Sequence, residues 1–136
     1  MRTTTLILSL LILPLVLFAG DSPSPEGAKA YFVDLKDGDT VKAPVLIRCG
    51  LTEQMGIAPA LADWPNTGHF HLLIDANPPN PNKPISKKYI HLYLGQTERT
   101  VDLKKGKHTL LIVMGDYAHM PHNPPVMSER ITVTVE

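Results

Sequence analysis

Apolar and polar side chains alternate with a period of two residues along much of the chain after residue 28. The clearest alternation places Val41, Ala43, Val45, Ile47 and Cys49 on one side, with mostly polar residues between them. Because successive side chains of a strand point to opposite faces, this pattern predicts a half-buried β-strand. The same criterion predicts strands at 29–35, 41–49, 67–75, 88–94, 100–103, 107–114 and 131–135.

No segment shows the period of an amphipathic helix. Aperiodic or proline-rich connections lie at 50–66, 76–84 and 115–127. Long connections in a small domain are often functional. Seven short strands separated by such connections are typical of an all-β, antiparallel immunoglobulin-like β-sandwich, which is the fold that we predict for residues 29–136.

Residues 1–20 have the organisation of a secretory signal peptide. Arg2 precedes an apolar run from Leu6 to Phe18, and small residues follow it. The run is shorter than the roughly 20 apolar residues that a membrane-spanning helix needs. We therefore predict export to the periplasm or the extracellular space, a flexible lead-in at 21–28, and no membrane span after removal of the signal.

The charge balance argues against nucleic acid and anionic membranes as partners. The chain has 13 Lys and Arg against 13 Asp and Glu. Removal of residues 1–20 takes away Arg2 alone among them, which leaves 12 basic and 13 acidic residues and a formal charge of −1. Nucleic-acid binding requires an extended basic surface, and the lysines around Gly106 are more simply a solvated turn.

Four of the six histidines form two compact pairs. On the predicted strand 67–75, alternation places Phe70 on the core face and His69 and His71 together on the opposite face. The α-carbons of two residues so spaced lie roughly 6.5 Å apart, close enough for both side chains to bind one ion. The second pair, His119 and His122, flanks Met120 in a proline-rich loop.

Imidazole and thioether ligands without paired cysteines favour copper, and zinc is the less favoured ion. We therefore predict a copper site in an exported carrier or storage module, which passes the ion to a transfer partner in the periplasm or the membrane. The predicted metal ligands are His69, His71, His119, His122 and Met120.

The same histidines also have a structural interpretation. Neutral imidazoles order loops by hydrogen bonding to backbone carbonyls, and methionines such as Met120 fill gaps at the edge of a core. Under this hypothesis the protein is a metal-free interaction or carbohydrate-binding module, whose aromatic side chains stack on a ligand. The candidates for stacking are Trp64, Tyr89, Tyr93 and Tyr117.

The remaining histidines and Met114 carry weaker signals. His91 shares its predicted strand face with tyrosines, and it joins either the metal site or a surface aromatic patch. His108, near the start of the predicted strand 107–114, is expected to be exposed. Met114 ends an apolar strand and is expected in the core.

Enzyme motifs do not accompany these residues, and we predict no catalytic site. The sequence lacks a Gly-x-Ser-x-Gly elbow, a glycine-rich phosphate loop and a His-Glu-x-x-His motif. Cys49, the one cysteine, falls on the apolar face of its strand, where a buried inert thiol is expected. Asp75 and Asp116 are the candidate bases for metal-assisted hydrolysis, and nothing in the pattern directs them inward.

Five short motifs follow one another in the chain: Gly-Ile-Ala-Pro-Ala (56–60), Asn-Thr-Gly-His-Phe-His-Leu-Leu-Ile-Asp (66–75), Gly-Gln-Thr-Glu (95–98), Gly-Lys-His-Thr-Leu (106–110) and Gly-Asp-Tyr-Ala-His-Met-Pro-His-Asn-Pro-Pro-Val-Met-Ser (115–128). In this order they resemble a small exported bacterial family catalogued as domain of unknown function 4399. The resemblance covers most of the chain after residue 20 and implies a compact exported β domain, without implying a reaction.

The resemblance also bears on the predicted ligands. His69, His71, His119 and His122 match the histidine motifs of that family. Phe70 and Met120 depart from the pattern, because relatives often have a further histidine and an aliphatic residue at these positions. The resemblance therefore implies that any shared function rests on the four histidines.

Overall fold

The computed structural model describes residues 22–136, so the predicted signal segment 1–20 lies outside the described residues. Within 22–136 the chain forms strands and no helix, which confirms the all-β prediction, and it has nine strands rather than about seven. The strands are β1 (Ala30–Phe32), β2 (Thr40–Val41), β3 (Val45–Leu51), β4 (Gly56–Ile57), β5 (Thr67–Ile74), β6 (Ile90–His91), β7 (Glu98–Val101), β8 (Gly106–Gly115) and β9 (Ile131–Val135).

The strands form two sheets in a sandwich-like arrangement. The smaller sheet has the order β1-β3-β7, and the larger has the order β2-β9-β8-β5-β4, with β6 also paired to β5. Most pairs are antiparallel, whereas β2 pairs parallel to β9 and β4 pairs parallel to β5. The longest ladder joins β5 to β8, where His69 lies opposite Gly115 and His71 opposite Val113.

The prediction of one strand at 41–49 is wrong. The chain leaves the larger sheet after Val41 and enters the smaller one at Val45. Pro44 stands between these strands, and proline offers no N–H to a ladder. The apolar alternation runs across this break without a change of phase, so the period alone does not reveal it.

The main core fills the space between the two sheets. Each long strand contributes its alternate residues, as the period of two requires. These buried side chains are Ile47 and Cys49 from β3, Phe70 and Leu72 from β5, Leu110, Ile112 and Met114 from β8, and Val133 and Val135 from β9. The predictions that Met114 is a core residue and that Cys49 is buried are therefore confirmed.

The opposite face of the larger sheet is buried as well. Leu73, Leu111 and Val113 pack there against Ile85, which comes from the connection between β5 and β6. Met127, from the connection between β8 and β9, packs against the same group. Two loops therefore form a third layer over β5 and β8, and the histidine face of β5 lies beneath them.

The segment before β1 is hydrogen-bonded rather than free. Ser24 donates its backbone N–H to the carbonyl of Asn123, and Asn123 donates its own N–H to the carbonyl of Ser22. This pairing attaches residues 22–24, part of the lead-in predicted at 21–28, to the loop that carries the second histidine pair. In the part of the chain that the structure describes, no helix has the length and apolar character to cross a membrane.

Candidate metal centre

β5 places His69 and His71 side by side on its outer face. Both side chains are fully buried, with 0% of their surface exposed. Their ring centroids lie 4.5 Å apart. The alternation of β5 therefore brings the two imidazoles together as predicted, beneath a protein layer that shields them from water.

Gly115 makes room for the ring of His71. The residue lies on β8, opposite His69 in the ladder. A β-carbon at this position would overlap Cε1 of His71 and would approach its Nδ1 to 3.0 Å. Any larger residue would therefore displace the imidazole.

Asp116 builds the turn that presents His119. Its buried carboxylate accepts hydrogen bonds through Oδ1 from the backbone N–H groups of Ala118 (2.8 Å) and Met120 (2.9 Å). Its Oδ2 accepts a third from the hydroxyl of Ser22 at 2.7 Å. The turn holds His119 at a φ of +63°, in the left-handed region that non-glycine residues adopt only when their surroundings impose it.

The two covering loops meet at His119. Ile85, in the first loop, donates its backbone N–H to the carbonyl of His119 at 2.8 Å. Because Ile85 also packs on the outer face of the sheet, this hydrogen bond ties the position of His119 to the same layer that covers β5.

Three imidazoles converge in this setting. His69, His71 and His119 each offer a ring nitrogen, and these three atoms all lie within 4.8 Å of one another. Nε2 of His69 and Nδ1 of His119 are 3.0 Å apart. Two nitrogens at about 2.05 Å from a tetrahedral ion are about 3.3 Å apart, so this pair stands close to ligand geometry. The cluster can therefore hold a metal ion.

His91 lies beside the cluster and was missing from the predicted ligand set. It pairs with His71 across β5 and β6, and the ring centroids of the two are 4.2 Å apart. Its Nδ1 lies 3.1 Å from the carbonyl of Tyr89, which fixes this nitrogen as the donor and leaves Nε2 as the acceptor. Alternation along 88–94 predicts that His91 shares a strand face with tyrosines. The pairing of His91 with His71 depends on the register between two separate strands, which the alternation within one strand does not give.

The buried histidines are short of hydrogen-bond partners. Neither nitrogen of His71 is hydrogen-bonded within the described residues, and Nδ1 of His69 also lacks a partner. Buried polar atoms are normally paired, because an unpaired one costs about 1–3 kcal/mol. A metal ion is one group that would satisfy such atoms.

Burial keeps these imidazoles neutral. Desolvation, followed by repulsion from His119 and His91, lowers the pKa of His69 to about 4. Desolvation, followed by repulsion from the neighbouring histidines, lowers the pKa of His71 to about 2, although the nearby backbone of Val113 opposes the shift. Desolvation, followed by repulsion from His91, also lowers the pKa of His119. At neutral pH all three rings therefore carry the lone pairs that a metal requires.

His122 and Met120 do not join the three-nitrogen group. His122 is buried, and its Nε2 is hydrogen-bonded to the carbonyl of Thr67 at 3.0 Å. Its ring also packs on Gly68, where a β-carbon would come within 2.8 Å of Cε1. The main chain of Met120 closes the Asp116 turn. Both residues thus have a structural role, through the hydrogen bond of His122 and the backbone hydrogen bonds of Met120. Their roles as metal ligands stay predictions.

The other residues that the sequence singled out lie elsewhere. Asp75 directly follows β5, and its carboxylate is hydrogen-bonded to His108 and to the backbone N–H of Thr109, so it does not face the cluster as a base. The side chain of His108 is 15% exposed, and the prediction that it is solvent-exposed is wrong because Asp75 and the carbonyl of Lys104 hold it. Cys49 lies in the main core, where desolvation raises the pKa of its thiol to about 12.

Comparison with known proteins identifies a family without a described reaction. The profile described as "Domain of unknown function (DUF4399)" matches residues 47–136. The matched range includes β5, β8 and every histidine of the sequence. No curated protein and no solved structure matches the chain.

Proposed function

Because the chain belongs to the family described as domain of unknown function DUF4399, whose description gives no activity, we propose a function from the site itself: binding of one transition-metal ion by His69, His71 and His119. The observation that carries the proposal is the convergence of three neutral, buried imidazoles, two of which have ring nitrogens 3.0 Å apart. We further propose that the ion is copper and that the protein is a periplasmic carrier or storage module rather than an enzyme.

The choice of copper rests on the donor set. Imidazole ligands bind copper(II) more tightly than the other divalent ions of the first transition row, zinc included. The only thiol of the sequence lies in the main core, away from the cluster, so a cysteine-rich structural zinc site is not formed. Oxygen-preferring ions such as calcium would need several carboxylates at the site. Zinc bound by three histidines is the competing possibility, and the experiment below separates the two ions.

The carrier role rests on how the ligands are placed. His69 and His71 stand on a rigid strand, whereas His119 stands on a loop that is fastened by hydrogen bonds from Ser22 and Ile85. Two ligands on a strand, with a third on a loop that only a few hydrogen bonds hold, support capture and release of an ion.

The test is a metal titration of the protein with copper(I), copper(II) and zinc, followed by calorimetry and by elemental analysis after dialysis. We expect one retained copper ion per chain and tighter binding of copper than of zinc. The double variant His69→Gln/His71→Gln should retain none, whereas the matched control His108→Gln, which removes a histidine outside the cluster, should bind as the unmodified protein does. If none of the three ions binds at micromolar protein, the proposal is excluded.

A second candidate function has one observation in its favour. A cavity of about 390 Å³ is lined by Trp64, Tyr117, Asn66 and Asp63. Trp64 is 59% exposed and Tyr117 36% exposed, which leaves both rings free to stack on a flat polar ligand. A carbohydrate-binding or interaction module would use this cavity without metal. Trp64→Ala would then abolish ligand binding, and the double histidine variant would change stability alone.

A further inference from the structure

The three-histidine group leaves a metal ion with an unfilled coordination position. Copper(II) and zinc take at least four ligands, and His69, His71 and His119 supply three. His91 is the next imidazole: its ring centroid is 4.2 Å from that of His71, 5.2 Å from that of His119 and 6.3 Å from that of His69, and it lies outside the three-nitrogen group. Its hydrogen bond to the carbonyl of Tyr89 uses Nδ1, so Nε2 of His91 competes with an added ligand for the open position.

A groove opens onto this side of the cluster. It has a volume of about 500 Å³ and is lined in part by His119 and His91, while His69 and His71 lie fully buried behind them. Its walls include Pro84, Ile85 and Tyr93. An ion held by the three nitrogens would therefore meet solvent through a mostly apolar passage.

One cation stands in this groove. Lys87 lines it beside Ser86, in the same groove as His119. No carboxylate of the described residues lines the groove with it. A positive side chain and a positive metal ion, separated by apolar walls, together attract a negative group.

From this arrangement we propose that the metal-bound protein takes a small carboxylate with an apolar body as an exogenous ligand, with the carboxylate between the metal ion and Lys87 and the apolar body against Ile85 and Tyr93. The proposal rests on the proposed metal function. It adds a carboxylate as a second kind of ligand, and it assigns a binding role to Lys87, Ile85 and Tyr93, which do not bind the metal.

The test uses copper(II)-loaded protein, with copper content measured first by elemental analysis. Benzoate is titrated while the visible absorption and electron paramagnetic resonance spectra of copper are followed. Acetate serves as the counterpart without an apolar body, and benzamide as the uncharged counterpart. We expect benzoate to shift both spectra with an affinity at least about tenfold higher than acetate, because its ring buries apolar surface. Benzamide should leave the spectra unchanged.

Variants separate the role of Lys87 from that of the metal ligands. Lys87→Gln should weaken benzoate binding about tenfold, as expected for loss of a charge-assisted contact, and should leave the copper content unchanged. The matched control is Lys83→Gln, which removes a lysine of the same loop that does not line the groove. This control should bind benzoate as the unmodified protein does.

Three results would overturn the inference, and each is distinct. Loss of copper during dialysis would remove it together with the proposed copper function. Stoichiometric copper whose spectra do not respond to benzoate would remove this inference alone and leave the metal function intact. A response that appears only in His91→Ala would show that His91 fills the fourth position, which also excludes the exogenous ligand.

Discussion

Nε2 of His69 and Nδ1 of His119 lie 3.0 Å apart, so a strand residue and a loop residue share one proton at the centre of the cluster. A bound ion would replace that proton. We expect the loaded protein to superpose on the metal-free one, with this distance widened only to about 3.3 Å. Crystal structures of both forms measure the change, and a shift of His119 by several ångströms would show that the site is not preformed.

Metal binding should persist in mild acid. The ligands compete with protons only near their own pKa values, which are about 4 for His69 and about 2 for His71. We expect copper affinity to fall less than about tenfold between pH 7.5 and 5.5, where exposed histidines with pKa near 6.5 would lose most of their affinity. Competition titrations at several pH values give the profile, with a short peptide containing two histidines as the reference.

The metal-free protein should lose stability as the pH falls. His69 and His71 have folded-state pKa values below the unfolded value near 6.5, so the unfolded chain binds more protons between pH 6.5 and about 4. The free energy of unfolding should therefore fall with decreasing pH in this window, by up to about 1.4 kcal/mol per pH unit for each histidine. Denaturant titrations at pH 7.5, 6 and 5 test this.

His108 must be accounted for in that experiment. Its hydrogen bond with Asp75 raises its pKa, so its contribution to stability is complete below pH 6.5 and is lost as the pH rises through the folded pKa. This dependence has the opposite sign. The variant His108→Gln should therefore show a steeper loss of stability in acid, whereas His69→Gln/His71→Gln should show a flatter profile. A double variant as steep as the unmodified protein would contradict the assignment.

Gly115→Ala should eliminate metal binding by displacing a ring. The added β-carbon overlaps the imidazole of His71, and relief of the overlap moves that ligand. We expect a loss of metal affinity of at least about 100-fold, and a destabilisation of about 1–3 kcal/mol from overpacking. Gly56→Ala is the matched control, because its β-carbon meets only the methyl group of Thr67 at 3.5 Å. Calorimetry on both variants decides the point.

Asp116→Ala should release the turn that carries His119. It removes three hydrogen bonds to a buried carboxylate, and we expect a loss of about 2–4 kcal/mol of stability and about tenfold in metal affinity. Asp116→Asn keeps an acceptor for the two backbone N–H groups and should recover most of the affinity. Ser22→Ala removes the Oδ2 contact alone and should have the smallest effect. Equal losses in Ala and Asn variants would argue against this role of Asp116.

The alternation of β5 correctly placed the side chains of His69 and His71 next to each other. A period of two is a local property, so it places His69 and His71 on one face and Phe70 on the other without knowledge of the fold. The same local signal could not show that both faces are buried. Burial of the histidine face depends on Ile85 and Met127, which reach it from two distant loops.

Histidines whose positions depend on contacts between distant parts of the chain could not be assigned from a local pattern. His91 joins the cluster because a two-residue strand pairs with β5, and such a short strand has no periodic signature. His119 and His122 looked equivalent in the sequence. The Asp116 turn directs the first toward the cluster, and the carbonyl of Thr67 binds the second. Which histidine of a pair faces inward is set by tertiary hydrogen bonds.

The contact of Ser22 with Asp116 joins positions 94 residues apart in the chain. Contacts at such separation form late, because the entropy of closing so large a loop must first be overcome. His69 and His71 can pair with β8 only once residues up to Gly115 are available, and the third imidazole comes after that strand. A growing chain therefore lacks the complete three-histidine group until the residues beyond β8 have been added, so an ion could be bound by all three imidazoles only after that point.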